Sequence, residues 1–421
     1  MHTTTILPLY LIALVINSLP PCAAALGPRY RQLDVRDTLS LPSKEAVARS
    51  LWNPLRTNLL SRSSEKIGLE KRVTGVNPNP NGSEFLWLPQ DDFSGKTFFD
   101  NFQFFSAPDP TNGHVNFVNA STAFQKRLAY VTEDGQVVMK ADNTTDLPLG
   151  AFRDSVRITS NAVYNTGLFI LDLNTAPWGC SVWPAFWTVG PNWPAGGEID
   201  ILEGVHDNEH NQIAWHTADG CLLDPNATIT GTISQNNGAN LTNCFAEVNS
   251  NSGCDVTEWS RASYGPYFEE QGGGVLAMKW DENDISVWSF YRAAIPKDIT
   301  TGSPDPSQWG TPSATLMNTQ CDITSFFSNH SIIFDITFCG DWAGNSYATS
   351  GCPGTCDGWL MDGAHFVNAS WSINSLKVYR KQTIADITTG GSRSPLRIAG
   401  LWVAIIAAML GGFELALGVV W

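Results

Sequence analysis

Charge is scarce in these 421 residues: Lys and Arg number 25, Asp and Glu 40, and together they make up 15% of the chain. The shortage is worst for cations, leaving a net charge of -15. That balance excludes nucleic acid as a partner, because such binding runs mainly through Lys and Arg on phosphates. Helical periodicity is also missing. Between Phe85 and Lys381 no apolar helical repeat survives beyond a turn or two, which excludes a helical bundle. A zinc set is absent as well: Cys352 and Cys356 stand at Cys-x-x-x-Cys spacing, but no second His or Cys pair completes four ligands. No cofactor motif is present, and none is expected.

Aromatic and turn-forming residues fill the space instead, with 16 Trp, 36 Gly and 24 Pro. Short alternating stretches recur: Ser155–Thr159, Gly167–Asp172, Glu198–Glu203, Gln212–His216, Val275–Trp280, Ile285–Ser289, Ser331–Asp335 and Ser372–Arg380. Turn residues such as Asn112-Gly113 and Asp134-Gly135 bound them. This pattern predicts an all-β chain, an antiparallel sandwich, in one block of residues 83–381.

The flanks read differently. Residues 1–25 carry an apolar stretch, Thr5 to Leu19, and then Cys22-Ala23-Ala24-Ala25, the layout of an export signal. Residues 26–82 are richer in charge, pass through Lys71-Arg72 and end in an Asn/Pro/Gly run; they are read as a pro-region or a flexible linker. Residues 382–421 place small residues and a short spacer before an apolar run, Ile398 to Trp421. That is the arrangement of a glycolipid (GPI) anchor signal, with a membrane-spanning helix as the rival reading. Any membrane contact is expected through this anchor alone. Removing the signal leaves eight cysteines, which predicts disulfides of open pairing. Seven N-x-[ST] sequons, at Asn81, Asn119, Asn143, Asn226, Asn240, Asn329 and Asn368, agree with a secretory route to the cell surface.

The segment Trp193-Pro-Ala-Gly-Gly-Glu198-Ile-Asp200-Ile-Leu-Glu203-Gly carries the chemistry. On a strand Glu198 and Asp200 share a face, but strict alternation would turn Glu203 to the apolar side. A one-residue bulge near Ile201-Leu202 returns Glu203 to its fellow acids. Three acids on one face raise one another's pKa, so one can stay protonated while another ionises. Glycoside hydrolysis requires that split. An acidic strand without a role and a calcium site are the competing readings; flanking tryptophans suit sugar rings better than a hard cation.

The segment resembles the signature of family 16 glycoside hydrolases, in the bulged form found in laminarinases. The surrounding segments Trp183-Pro-Ala-Phe-Trp187, His216-Thr-Ala-Asp-Gly-Cys221 and Phe338-Cys-Gly-Asp-Trp-Ala-Gly344 resemble fungal endo-β-1,3(4)-glucanases. The resemblance implies a concanavalin-like β-jelly-roll sandwich whose concave face is the substrate cleft. It implies Glu198 as nucleophile, Asp200 as its assistant and Glu203 as acid/base, with net retention and carboxyl groups about 5–5.5 Å apart. It also implies a cleft histidine, His216, near the acid/base, sugar-stacking Trp187 and Trp193, an arginine, Arg157, at the glycone end, and Trp342 on the other cleft wall. Trp183 is expected partly in the core, and the remaining tryptophans within it. The expected partner is a β-glucan acted on by a monomer. Transfer to another sugar, or lectin-like binding, would use the same face.

Overall fold

The computed structural model describes residues 75–384. The export signal, residues 26–74 and the apolar C-terminal run lie outside them. Among the described residues no helix is long and apolar enough to cross a membrane.

Two antiparallel sheets, of nine and eight strands, form a β-jelly-roll sandwich. Strands near in sequence are often distant in the sheet. The eight-stranded sheet runs Thr232–Ile233, Cys254–Glu258, Asn211–His216, Glu198–Glu203, Val182–Val189, His330–Phe338, Arg157–Tyr164 and Phe102–Phe104. Every stretch anticipated from alternation lies in a strand except Ser155–Thr159, which Val156 divides between the strands Arg153–Ser155 and Arg157–Tyr164.

Burial explains why these stretches pair as they do. Phe186, Ile199, Ile213 and Phe334 of this sheet meet Phe169, Leu171, Met278 and Leu376 of the other in one core. The Gly167–Thr175 strand is apolar on both faces. Its other face joins Phe85, Trp87, Val275 and Tyr379 in a second, smaller cluster. The acids of the Glu198–Glu203 strand lie on the outer face of the eight-stranded sheet, and the site lies there.

The eight cysteines pair as Cys180–Cys352, Cys221–Cys321, Cys244–Cys254 and Cys339–Cys356. Cys352 and Cys356 thus go to different partners, on either side of the loop that carries Trp342. Val76–Pro78, inside the stretch read as a linker, pairs with Glu84–Leu86 as an edge strand. Its polar Asn77 is buried and donates to Gly75 O at 2.9 Å, a local bond that composition does not reveal.

Candidate active site

The Glu198–Glu203 strand lies in the middle of the sheet, between Val182–Val189 and Asn211–His216. On one side Phe186 pairs with Leu202 and Trp187 with Asp200, leaving Ile201 without a partner. On the other side Asp200 pairs with Ala214 and Glu203 with Gln212. This is the bulge the alternation calls for. Ile201 and Leu202 are both fully buried in the core, and Glu203 returns to the outer face.

Glu198, Asp200 and Glu203 line a cleft of about 950 Å³ together with Arg157, Trp187, Trp193, His216 and Trp342. All eight residues singled out in the sequence therefore converge. Trp193 donates its indole N–H to Glu198 Oε2. Trp183 donates to Glu203 Oε1 at 2.7 Å. Each outer acid thus has an indole partner. Trp342 packs edge-on against Trp183, ring centres 5.8 Å apart, and closes that wall. The guanidinium of Arg157 lies over the ring of Trp187 at 5.0 Å.

His216 is opposite Glu198 in register, with Nε2 3.3 Å from Asp200 Oδ2. His216 stands directly opposite Glu198 and not Glu203, although its charge acts on Glu203 as well. The bulge moves Glu203 one step further along and pairs it with Gln212. His216 Nδ1 is 3.1 Å from Asn251 Oδ1, an acceptor, so both ring nitrogens meet acceptors. Burial would lower its pKa, but the hydrogen bond to Asp200 and the charges of Glu198, Asp200 and Glu203 outweigh it and push it up to about 10. The ring is a buried cation among three carboxyls. It has no lone pair to spare, so the cluster of Glu198, Asp200 and His216 is a poor cation site even though its donor atoms lie within 4.8 Å of one another.

Burial is the main cause lifting Glu198 to about 7, followed by the charge of Asp200; His216 and the Trp193 bond pull it back. Burial, then Asp200, hold Glu203 well above the usual range. Mutual repulsion, the cause foreseen from the sequence, comes second to desolvation. The outcome is a pair of acids that hold their protons to higher pH than ordinary carboxyls do.

Three features were not legible in the sequence. Trp183, expected partly in the core, is half-buried on the cleft and bonded to Glu203. Asp335 accepts from Trp187 Nε1 at 2.9 Å and is paired in register with Arg157; burial lifts it to about 7. A lone acid in the apolar strand His330–Phe338 was its only signal. Trp259, expected in the core, is 55% exposed just beyond the Cys254–Glu258 strand, with Nε1 donating to Thr232 Oγ1 at 2.8 Å.

Residues 102–379 match a family model described as the XgeA-like, catalytic GH16 domain. A probable glycosidase of Schizosaccharomyces pombe is 44% identical over 69% of this chain and 68% of its own length. The endo-1,3(4)-β-glucanase xgeA of Emericella nidulans is 38% identical over 71% of this chain, which spans about half (48%) of that relative. Among solved structures, the GH16 laminarinase 16A of Phanerochaete chrysosporium, bound to β-glucans in donor and acceptor sites, is 39% identical with a TM-score of 0.66. The match covers 70% of this chain and 99% of that one. An elongating GH family 16 β-1,3-glucosyltransferase is 40% identical with a TM-score of 0.65, over 70% of this chain and 100% of that one. With a matching catalytic-domain model over most of the fold and its acids gathered in one cleft, the chain belongs to the family 16 glycoside hydrolases.

Proposed function

We propose that this enzyme cleaves internal β-1,3 bonds of glucan, and β-1,4 bonds where the two linkages are mixed, with retention of anomeric configuration. The observation that carries this reading is the bulge, which sets Glu198 and Glu203 on one face with Asp200 between them. Relatives named as endo-1,3(4)-β-glucanases and a laminarinase neighbour that binds β-glucans support the substrate class.

In the first step a Glu198 carboxylate oxygen bonds the anomeric carbon while the bond to the leaving oxygen breaks. Glu203 gives its proton to that oxygen. In the second step Glu203 takes a proton from water, whose oxygen displaces Glu198 and restores the starting configuration. Asp200 lies against His216 at 3.3 Å and steadies the nucleophile's surroundings; the cationic ring favours the ionised form of Glu198. Trp187 and Trp193 offer apolar faces to the sugar rings.

Transfer to a second sugar is the alternative, favoured by the glucosyltransferase neighbour. Secretion and surface anchoring belong to the same reading. Four disulfides suit an oxidising compartment, and none of the seven sequon asparagines is buried. Incubation with laminarin and with barley mixed-linkage glucan, following reducing ends and product anomers, tests the proposal. New reducing ends with β-anomers formed first are expected. Binding without cleavage, or α-products first, would sink hydrolysis or retention respectively, and longer oligosaccharides at high substrate would favour transfer.

A further inference from the structure

The bulge that brings Glu203 into the cleft opens a gap in the hydrogen-bond ladder. Between the Asp200–Ala214 and Glu203–Gln212 pairs, Ile201 and Leu202 together oppose a single residue, Ile213. Main-chain groups beside a bulge lose their strand partners. Left unpaired and buried, each costs roughly 1–3 kcal/mol.

One side chain closes this gap. Asn211, fully buried at the start of the neighbouring strand, accepts from the Glu203 N–H through Oδ1 at 2.8 Å. Its Nδ2 donates to the Ile201 carbonyl, also at 2.8 Å. The carboxamide therefore spans the bulge from one flank to the other. Asn211 is itself held: its own N–H donates to Ser263 Oγ at 3.2 Å. Its partner on the next strand is Glu258, whose carboxyl accepts from Ser313 Oγ at 2.5 Å and from the Ser289 hydroxyl. Ser289 belongs to the opposite sheet. Polar groups thus reach from the back sheet to Glu258, on the strand paired with that of Asn211. Packing alone does not call for Asn211, since an apolar side chain would fill the same volume. A donor and an acceptor at fixed separation do call for it, because a carboxamide meets both with one group.

We propose that Asn211 is a positioning residue for Glu203: by bridging Ile201 and Glu203 it fixes the bulge so that the Glu203 carboxyl meets the leaving oxygen of the glycosidic bond. The inference rests on the reading of Glu203 as the acid. A shift of about 1 Å in a catalytic group can cost on the order of 10²-fold in rate. Such a shift has a signature that general loss of structure lacks. A sugar leaves as an alkoxide unless it is protonated, whereas a dinitrophenolate leaves unaided. A misplaced Glu203 therefore slows cleavage of a laminari-oligosaccharide and spares that of dinitrophenyl β-laminaribioside. A smaller folded fraction lowers both by one factor.

The experiment measures kcat/KM, which reports the first bond-breaking step, for both substrates in the wild type, Asn211→Ala, Asn211→Ser and Glu203→Gln. Asn211→Ala should lose roughly ten- to a hundredfold more on the oligosaccharide than on the aryl glycoside. Asn211→Ser, whose one hydroxyl keeps one of the two bonds, should shift in the same direction by less, and it decides the matter if the alanine variant does not fold. Equal factors on the two substrates in the folded Asn211 variants, or no change in either, would overturn the positioning role. Glu203→Gln separates the two claims. Without leaving-group dependence there, the reading of Glu203 fails. With dependence there and indifferent Asn211 variants, only the inference about Asn211 fails.

Discussion

At the scale of single residues the site is one buried cation set among carboxyls. In the proposed mechanism Glu198 is ionised to attack and Glu203 protonated to donate, so kcat/KM should be bell-shaped in pH, with limbs belonging to the coupled pair. The acid limb should lie toward 7, where burial and Asp200 place Glu198, and not at the ordinary carboxylate value of about 4.3. His216 holds Glu198 down from a still higher pKa. Replacing it with Gln removes a positive charge that favours the ionised nucleophile, so Glu198 should ionise only at higher pH. The pH–kcat/KM profile of His216→Gln is then expected to show its acid limb moved upward. An unmoved limb would mean that the imidazolium does not act on the nucleophile. Glu203→Gln should lower glucan turnover by about 10²–10⁴-fold, the usual contribution of a general acid.

At the scale of elements, the segment closed by Cys244–Cys254 supports that histidine. Asn249, Ser250 and Asn251 all sit in the left-handed region, at φ of 53°, 58° and 62°, which L-residues other than glycine adopt at a cost. The turn carries Asn251 to His216 Nδ1 and puts Ser250 and Ser252 on the cleft wall. Gly253 follows at φ 65°, where an added Cβ would stand 2.6 Å from Trp215 O and 2.9 Å from His216 Cε1. Gly253→Ala should therefore cost about 1 kcal/mol or more of stability through the backbone alone. It should also push His216 aside, so that the pH profile moves in the direction expected of His216→Gln. A lower melting temperature with an unchanged profile would show that the loop is structural only. None of this support was legible in the sequence, because left-handed asparagines and serines look like any polar loop. The bulge was legible, because an extra Leu202 in an otherwise alternating run leaves a single way to bring Glu203 round. Asn211 was not: its carboxamide has meaning only once the gap it fills is known to exist.

At the scale of the whole molecule, the same arrangement makes function oppose stability. Glu198, Glu203, Asp255, Glu258 and Asp335 all have pKa values raised mainly by burial. A group whose folded pKa exceeds its unfolded one stabilises the fold below the unfolded value and loses that contribution as pH rises through the folded one. For the acids the loss begins above their unfolded values of about 4 and extends through about 7 for Glu198 and Asp335. For His216 it begins near 6.5 and extends to about 10. His330, whose pKa burial lowers to about 4, works in the opposite sense, but its contribution is complete by 6.5. Below 6.5 the two tendencies offset, and above it the acids and His216 act together. The melting temperature should therefore be highest in mildly acidic solution and fall by several degrees between roughly pH 7 and 9. Calorimetry across that range checks it, and a flat or rising melting temperature would mean that the buried acids are already ionised at neutrality. Glu198→Gln removes one of the groups responsible and should flatten the slope while abolishing turnover. The sheet that presents the acids would then be shown to carry them at the expense of its own stability.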